Sequence, residues 1–302
     1  MTGAWGKKFV LWSIVWFNLI TLGLPTVIIL GASFTAGDIV QFPPAGFSLK
    51  WYGKLWLLED FKDAFLRTVY VSVICTLVSI PAGTLAAIAL ARYRIRFRTA
   101  LQVYLLLPFT IPLVVSGLGM MIVFGEVRIL GQLWPVGIGL CIINLPFMIW
   151  AVSATVNALD EELENAAANC GAPPLQAFLT VTLPSVMPGV ITGALLMFIL
   201  AFNEFLVSLF LTDARIVTLP VSIYNSIRSV ITPDLAAVSV VYIVVAFLAV
   251  WLLDKLVGLE LFLKSNQPWK KKERGKPKKP KMPFPKLRYA GSILHPASLF
   301  QR

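Results

Sequence analysis

The sequence predicts an all-α, polytopic membrane protein with six transmembrane helices. Of its 302 residues, 58% are hydrophobic and only 14% are charged, and the mean hydropathy is +0.80. A soluble domain of this length usually carries about 25% charged residues. The apolar residues also fall in long blocks, which is typical of membrane spans and not of one large soluble core.

Six apolar segments are each about 20 residues long or slightly longer, enough to cross a hydrocarbon layer of about 30 Å. We expect helices, because lipid admits only helices and closed barrels, and these runs are too long for barrel strands. A signal peptide is the alternative for the first segment, but its apolar stretch exceeds the roughly 7–15 residues of such peptides. The predicted spans are approximately 9–33, 67–91, 100–124, 133–156, 189–211 and 235–258.

The distribution of lysine and arginine predicts that both chain ends lie in the cytoplasm. Two basic residues precede the first span, four arginines occupy residues 92–98, and thirteen basic residues follow from Lys255 onward, out of 26 in the chain. Basic residues accumulate on the cytoplasmic side of membrane proteins. An even number of spans agrees with this orientation.

The C-terminal residues 264–302 differ in composition from the membrane part, residues 1–263. From Lys270 to Arg288 there are ten basic residues, one acid and four prolines. Such a segment cannot bury a core, so we expect a disordered cytoplasmic tail that touches anionic membrane lipid. Nucleic-acid binding is a minor alternative, and no nucleic-acid partner is expected.

The cytoplasmic loop 157–188 is unlike the other inside segments, because it has four acidic residues and no lysine or arginine. A loop of this length without basic charge does not anchor to lipid headgroups, and docking on a protein is the better interpretation. An amphipathic connector without a partner is the alternative.

The same loop carries the signals of a helix, a tight turn and a second helix. Acidic residues in the first turn complement the helix dipole. An alanine run follows, and Gly171 supplies a left-handed C-terminal cap. Pro173 and Pro174 suit the start of a second short helix, which Pro184 and Pro188 would stop before the fifth span. Phe178 offers an apolar side chain to a partner.

This loop resembles the EAA loop of permeases from binding-protein-dependent ABC importers, the family with the MetI-like fold. The matching positions are Ala166, Ala167, Gly171, Val181, Leu183 and Pro184. The family's glutamate falls on Asn165, which departs from the pattern, and Glu164 stands next to it. By this resemblance the contact with an ATPase would involve Glu164, Asn165, Ala166, Ala167, Gly171, Phe178, Leu183 and Pro184.

The resemblance covers roughly residues 9–258, and its flanking stretches look most like the spermidine/putrescine branch. Those stretches are Leu107–Pro112, Asn203–Phe205, Thr218–Pro220 with Ile223 and Tyr224, and Ile231–Asp234.

The resemblance implies a transport subunit that is not an enzyme. Such a subunit moves a small solute, which in this branch is a polyamine, across the bacterial inner membrane by alternating access. The implied partners are two ATPase subunits, a second homologous permease and a periplasmic solute-binding protein. The chain has no Gly-x-x-x-x-Gly-Lys-Ser/Thr motif, so ATP hydrolysis is expected in the partner subunits and no cofactor is expected here.

Glu204 is the most informative residue within a predicted span, because an acid at membrane depth costs on the order of 2.5 kcal/mol. One hypothesis is that Glu204, with Asn203, attracts or passes a cationic solute. The other is a structural hydrogen bond from Glu204 to a neighbouring helix or an arginine, near the outer end of the span. Relatives in the polyamine branch often have acids where this chain has Asn203 and Leu113, so the solute stays open between a polyamine and another class.

Two other function classes are alternatives to an importer subunit. An ion-coupled secondary transporter usually carries several intramembrane carboxylates, and only Glu204 is clear here. A membrane enzyme is disfavoured, because the only histidine, His295, lies in the tail and the three cysteines, Cys75, Cys141 and Cys170, lack metal-ligand spacing. Neither a catalytic residue nor a metal site is predicted.

Overall fold

The structure is a computed structural model that describes residues 3–257 except 41, 42, 45, 56–58, 94, 214, 230 and 231. The predicted tail, residues 264–302, lies outside the described residues. The described part is helical apart from loops and one isolated bridge between Thr35 and Phe47. The helices are α1 Gly3–Ser33, α2 Lys50–Leu55, α3 Glu59–Arg92, α4 Arg98–Thr110, α5 Leu113–Glu126, α6 Leu133–Val156, α7 Glu161–Asn169, α8 Pro174–Ala177, α9 Leu183–Asn203, α10 Leu206–Leu211, α11 Leu219–Ser229 and α12 Pro233–Val257.

Among the described residues, four continuous helical runs are long and apolar enough to cross a membrane: Lys8–Ser33, Glu59–Arg92, Leu133–Val156 and Pro174–Asn203. A fifth span results if the bent pair α4 and α5 is counted as one. The apolar part of α12 that the structure describes, Pro233–Leu248, is shorter. The all-α membrane architecture is therefore confirmed, while the count of six spans stays a prediction.

The third predicted span, 100–124, is not a single straight helix. It is broken between α4 and α5, whose axes differ by 93°. Ile111 has an extended backbone, and Pro112 is the N-cap of α5. A residue before proline is pushed out of the helical region, which explains why the chain turns at this position. Pro81, Pro108 and Pro146, by contrast, lie inside continuous helices.

The fifth predicted span, 189–211, begins earlier and ends earlier than expected. Helical structure runs from Pro174 through a π-helical turn, Phe178–Thr182, into α9 and ends at Asn203. The prediction that Pro184 and Pro188 stop the second loop helix is therefore wrong. Pro184 lies in the first turn of α9, directly after the π-helical turn, and a widened turn of this kind accommodates irregular backbone bonding within a continuous helix.

The core is formed mainly by α3, α6 and α9, which pack against one another most extensively. Met148 of α6 is fully buried at their junction. A Cβ atom added to Gly83 of α3 would lie 2.9 Å from Met148 Cβ, and one added to Gly193 of α9 would lie 3.3 Å from Met148 Cε. The glycines therefore let the two outer helices approach the Met148 side chain from both sides.

The third and fifth predicted spans are each divided into two helices, and their second helices pack against each other. α5 packs against α10, and Gly117 faces the ring of Phe210 so closely that an added Cβ would overlap it. By contrast, α1 packs mainly on α12, and none of the residues in its most apolar stretch is buried. An apolar helix with this exposure is expected to face lipid or another membrane subunit.

Candidate functional site: an elbow in loop 157–188 and a helix break at Glu204

The predicted helix–turn–helix in loop 157–188 is present, and we call residues 160–182 the elbow. Its first arm, α7, is capped by Asp160, whose Oδ1 accepts a hydrogen bond from the backbone N–H of Glu162 at 3.0 Å. Glu161, Glu162 and Glu164 lie in the first turn. Carboxylates at this end of a helix complement the partial positive charge of its free N–H groups.

Gly171 closes the first arm, as predicted. Its φ of +87° lies in the left-handed region, where a side chain is unfavourable. The N–H of Gly171 donates to Ala168 O at 2.9 Å, and the N–H of Ala172 donates to Ala167 O at 3.1 Å. This pair of bonds is the Schellman motif, which ends a helix and reverses the chain in a defined direction.

The second arm starts at Pro174, the first residue of α8, and continues through the π-helical turn into α9. Because no loop separates this arm from α9, the elbow is directly continuous with a core helix. Ala177 and Thr182 are buried on the inner face of this arm, and Leu175 and Leu179 are exposed on its outer face.

Arg92, the last residue of α3, connects that helix to the elbow. Its Nη1 donates to Glu161 Oε1 at 2.9 Å, and its Nη2 lies 3.3 Å from Leu159 O and 3.4 Å from Glu164 Oε1. The same Glu164 oxygen accepts a hydrogen bond from Thr182 Oγ1 at 2.9 Å. We call Arg92, Glu161, Glu164 and Thr182 the Arg92 clamp, because it joins α3, α7 and the π-helical turn.

The predicted coupling residues divide into an outward and a partly inward group. Asn165, Ala166, Gly171 and Pro184 are exposed, whereas Glu164, Ala167, Phe178 and Leu183 are half-buried. Sequence reasoning missed Arg92 and Thr182, and it also missed the exposed leucines Leu163 and Leu175. A signal for Arg92 existed, since a purely acidic inside loop and a purely basic one are electrostatically complementary.

The second predicted site lies where α9 ends. Glu204 is half-buried in an extended backbone segment between α9 and α10, and its Oε1 accepts the N–H of Val207 at 3.1 Å. The carboxylate thus satisfies a free donor in the first turn of α10. This bond agrees with the structural hypothesis for Glu204, and it leaves the second carboxylate oxygen for another partner.

Asn203, which precedes Glu204, is exposed, and both polar atoms of its side-chain amide form hydrogen bonds. Its Nδ2 donates to Ile199 O at 2.8 Å, and its Oδ1 lies 2.8 Å from the hydroxyl of Tyr242 in α12, which also lies 3.0 Å from Phe202 O. The ring of Tyr242 stacks on Phe202 with centroids 5.0 Å apart. Aromatic rings therefore surround the break and fix the end of α9 against α12.

The elbow and the break lie at opposite ends of α9. That helix has 21 residues, and at about 1.5 Å per residue it separates the two sites by about 30 Å, the thickness of a hydrocarbon layer. The charged, bonded elbow and the acid-containing helix break therefore lie about one hydrocarbon thickness apart along α9.

Residues 79–258 match the family model described as "Binding-protein-dependent transport system inner membrane component". The chain is 29% identical to the putrescine transport system permease protein PotI of Escherichia coli strain K12 over 248 residues, 76% of this chain and 86% of that protein. It is 27% identical to the spermidine/putrescine transport system permease protein PotC of Haemophilus influenzae, covering 78% and 91%. A molybdenum transport system permease protein, ModB of Mycobacterium bovis, is 32% identical over 64% of this chain and 76% of its own length.

Among solved structures, a bacterial ABC transporter involved in the import of the acidic polysaccharide alginate has a chain with the same fold. The TM-score is 0.67 at 17% identity, covering 84% of this chain and 98% of that one. Family members are multi-pass inner-membrane proteins that work with ATPase, permease and solute-binding partners. The matched model covers more than half of the residues, so this chain belongs to the family of binding-protein-dependent transport system inner membrane components and is a permease subunit of an ABC importer.

Proposed function

We propose that the elbow is the coupling segment through which ATP hydrolysis in a partner subunit drives this permease. The observation that carries the proposal is its construction: a helix closed by a Schellman motif, continuous with a core helix and bonded to α3 by Arg92. A segment built in this way transmits displacement without bending at the turn. Family membership also removes the stand-alone secondary transporter that the sequence left open.

The outer surface of the elbow suits a groove in another protein. Leu163, Leu175 and Leu179 are 51%, 69% and 51% exposed, and the small side chains of Ala166 and Ala168 lie exposed nearby in sequence. An amphipathic helix that presents apolar side chains in this way binds by burying them in an apolar groove. Two ATPase subunits would each receive one elbow, one from this chain and one from a second homologous permease.

The proposed orientation places the elbow and both chain ends in the cytoplasm and the Glu204 break toward the periplasm. The basic residues before the first span and at residues 92–98 support this orientation. A periplasmic solute-binding protein would deliver solute on the Glu204 side. Closure of the ATPases would then rock the helices between inward-open and outward-open arrangements.

For the solute we propose a polyamine. The PotI and PotC proteins support this choice, as does a carboxylate at the helix break with one oxygen free of protein bonds among the described residues. An anion such as molybdate is the second candidate, favoured by the similarity to the molybdenum permease.

Cysteine crosslinking in intact membranes tests the coupling role. Ala166→Cys and Leu175→Cys are the best probes, because both positions are exposed on the elbow, and Cys170→Ser removes the native exposed thiol. We expect both to crosslink to the ATPase subunit. Arg98→Cys, exposed at the start of α4 outside the elbow, is the matched control. Crosslinks from neither elbow position would disprove the coupling role.

Uptake into vesicles that contain the complete importer tests the solute. We expect ATP-dependent accumulation of labelled putrescine and none of molybdate. The opposite result would assign the permease to an oxyanion and leave the coupling role of the elbow unaffected.

A further inference from the structure

The Arg92 clamp connects two parts of the chain that are far apart in sequence. Arg92 and Glu164 are separated by 72 positions, and Glu164 and Thr182 by 18. The Arg92 side chain is only 15% exposed and that of Glu164 28%, so solvent weakens their attraction less than in an exposed pair. Thr182 is buried, and its hydroxyl bonds the same carboxylate oxygen.

Each contact of the clamp lies where motion of the elbow would begin. Leu159, Glu161 and Glu164 belong to the entry and the first turn of α7, and Thr182 is the last residue of the π-helical turn. The clamp therefore bonds the first arm of the elbow directly to the end of α3, and Glu164 links the second arm to it through Thr182. Without it, α7 packs mainly on the second arm, since its main neighbours are α8 and the π-helical turn.

The clamp is not saturated with hydrogen bonds. Arg92 Nε is buried and has no hydrogen-bond partner among the described residues. A buried N–H without a partner costs free energy, and a guanidinium has five donors arranged to bind a carboxylate in pairs. The charge of Arg92 is shared between two carboxylates, with one bond to Glu161 and one to Glu164.

From this geometry we infer that Arg92, Glu164 and Thr182 are positioning residues for transport. They make the elbow, α3 and the start of α9 move as one body, so that displacement of the elbow by the ATPase opens the membrane helices. The inference rests on the proposed coupling function of the elbow. It assigns to Glu164 an internal role, since its carboxylate points to α3 and the π-helical turn and not to the exposed elbow surface.

Spin-label distances in the complete importer test the inference without knowledge of the solute. Labels at Asn169 of α7 and Tyr93, next to Arg92, are both exposed, and Cys170→Ser removes the native exposed thiol. We expect the same distance in the nucleotide-free and vanadate-trapped states of the wild type. In Arg92→Gln and Glu164→Gln the distance should change on trapping. An unchanged distance in both variants, or a changed one in the wild type, would overturn the inference.

Transport efficiency provides the second readout. In Arg92→Gln and Glu164→Gln, putrescine uptake per ATP should fall about tenfold, the size expected for loss of a charge-assisted bond. Arg96→Gln and Glu162→Gln are matched controls, since they remove the same charges at exposed positions outside the clamp. Full efficiency in both clamp variants would contradict the inference.

Two substitutions at Thr182 distinguish loss of the clamp from a defect in folding. Thr182→Val has the same shape and no hydroxyl, whereas Thr182→Ser keeps the hydroxyl. We expect Thr182→Val to lower putrescine uptake per ATP and Thr182→Ser to preserve it. Equal uptake per ATP in the two variants would count against the clamp. A wild-type elbow that never crosslinks to the ATPase would instead remove the proposed function, which makes the two failures distinguishable.

Discussion

At the scale of single residues, Gly171 has a purely conformational role. Its φ is +87°, and nothing lies within 4 Å of the position where a Cβ would be placed. A substitution there meets no steric neighbour, so any effect comes from the backbone. A left-handed conformation costs a typical side chain about 1–2 kcal/mol, whereas asparagine adopts it more readily.

We therefore expect Gly171→Val to abolish ATP-coupled uptake while the protein stays in the membrane, and Gly171→Asn to keep most of the uptake. Quantitative immunoblots of membranes, together with uptake assays, measure both effects. Equal uptake by the two variants would show that the Schellman turn is not needed for coupling.

Glu204 forms a hydrogen bond within its own segment and has a proposed contact with the solute. Two substitutions separate these roles. Glu204→Gln keeps an oxygen that accepts the Val207 N–H but removes the charge, and Glu204→Ala removes both. If the charge of Glu204 attracts a cationic solute, Glu204→Gln lowers putrescine uptake severalfold without changing the amount of protein in the membrane. If only the bond matters, Gln transports normally and Ala alone is destabilised by about 1 kcal/mol.

At the scale of elements, the packing of α3, α6 and α9 depends on Met148. A methyl group on Gly83 would meet the inner atoms of that side chain, close to the α6 backbone, whereas one on Gly193 would meet its flexible end. The inner atoms cannot move aside without shifting α6. The two glycines therefore differ in the cost of substitution, although both contact the same residue.

Gly83→Ala should lower the melting temperature of the detergent-solubilised protein, by an amount that reflects an overpacking cost of about 1–3 kcal/mol. Gly193→Ala should lower it less, because the thioether can rotate away. Gly119→Ala in α5, where nothing lies within 4 Å, is the control and should be neutral or stabilising. A larger loss for Gly193→Ala would contradict this account of the core.

Two elements differ from their predicted form for reasons that the sequence signals only weakly. Pro112 ends one helix and starts another, whereas Pro81, Pro108, Pro146 and Pro188 are accommodated within helices. Proline lowers the stability of a helix at its own position, but neighbouring helices decide whether the chain kinks or breaks. At the 93° bend before Pro112, α5 is packed against α10.

For the whole molecule, an even or odd number of spans determines whether the two chain ends lie on the same side of the membrane. Single cysteines at Lys8 and Lys264, in a chain without native cysteines, should react with a membrane-impermeant maleimide only in inside-out vesicles. Arg128→Cys and Arg215→Cys should react only in right-side-out cells. Labelling of the two ends from opposite sides would require an odd number of spans and would contradict the proposed cytoplasmic location of one end.

The membrane class, the approximate spans and the elbow could be predicted because they depend on local features: apolar length, basic loops, and the spacing of alanine, glycine and proline. Only the packed helices show that Glu164 points to Arg92 and Thr182, that Tyr242 bonds Asn203, and that Glu204 caps α10. The Arg92–Glu164 and Tyr242–Asn203 pairs are 72 and 39 positions apart and form only when helices pack. Residue spacing along one helix cannot report such pairs, because their geometry depends on how three helices pack together in space.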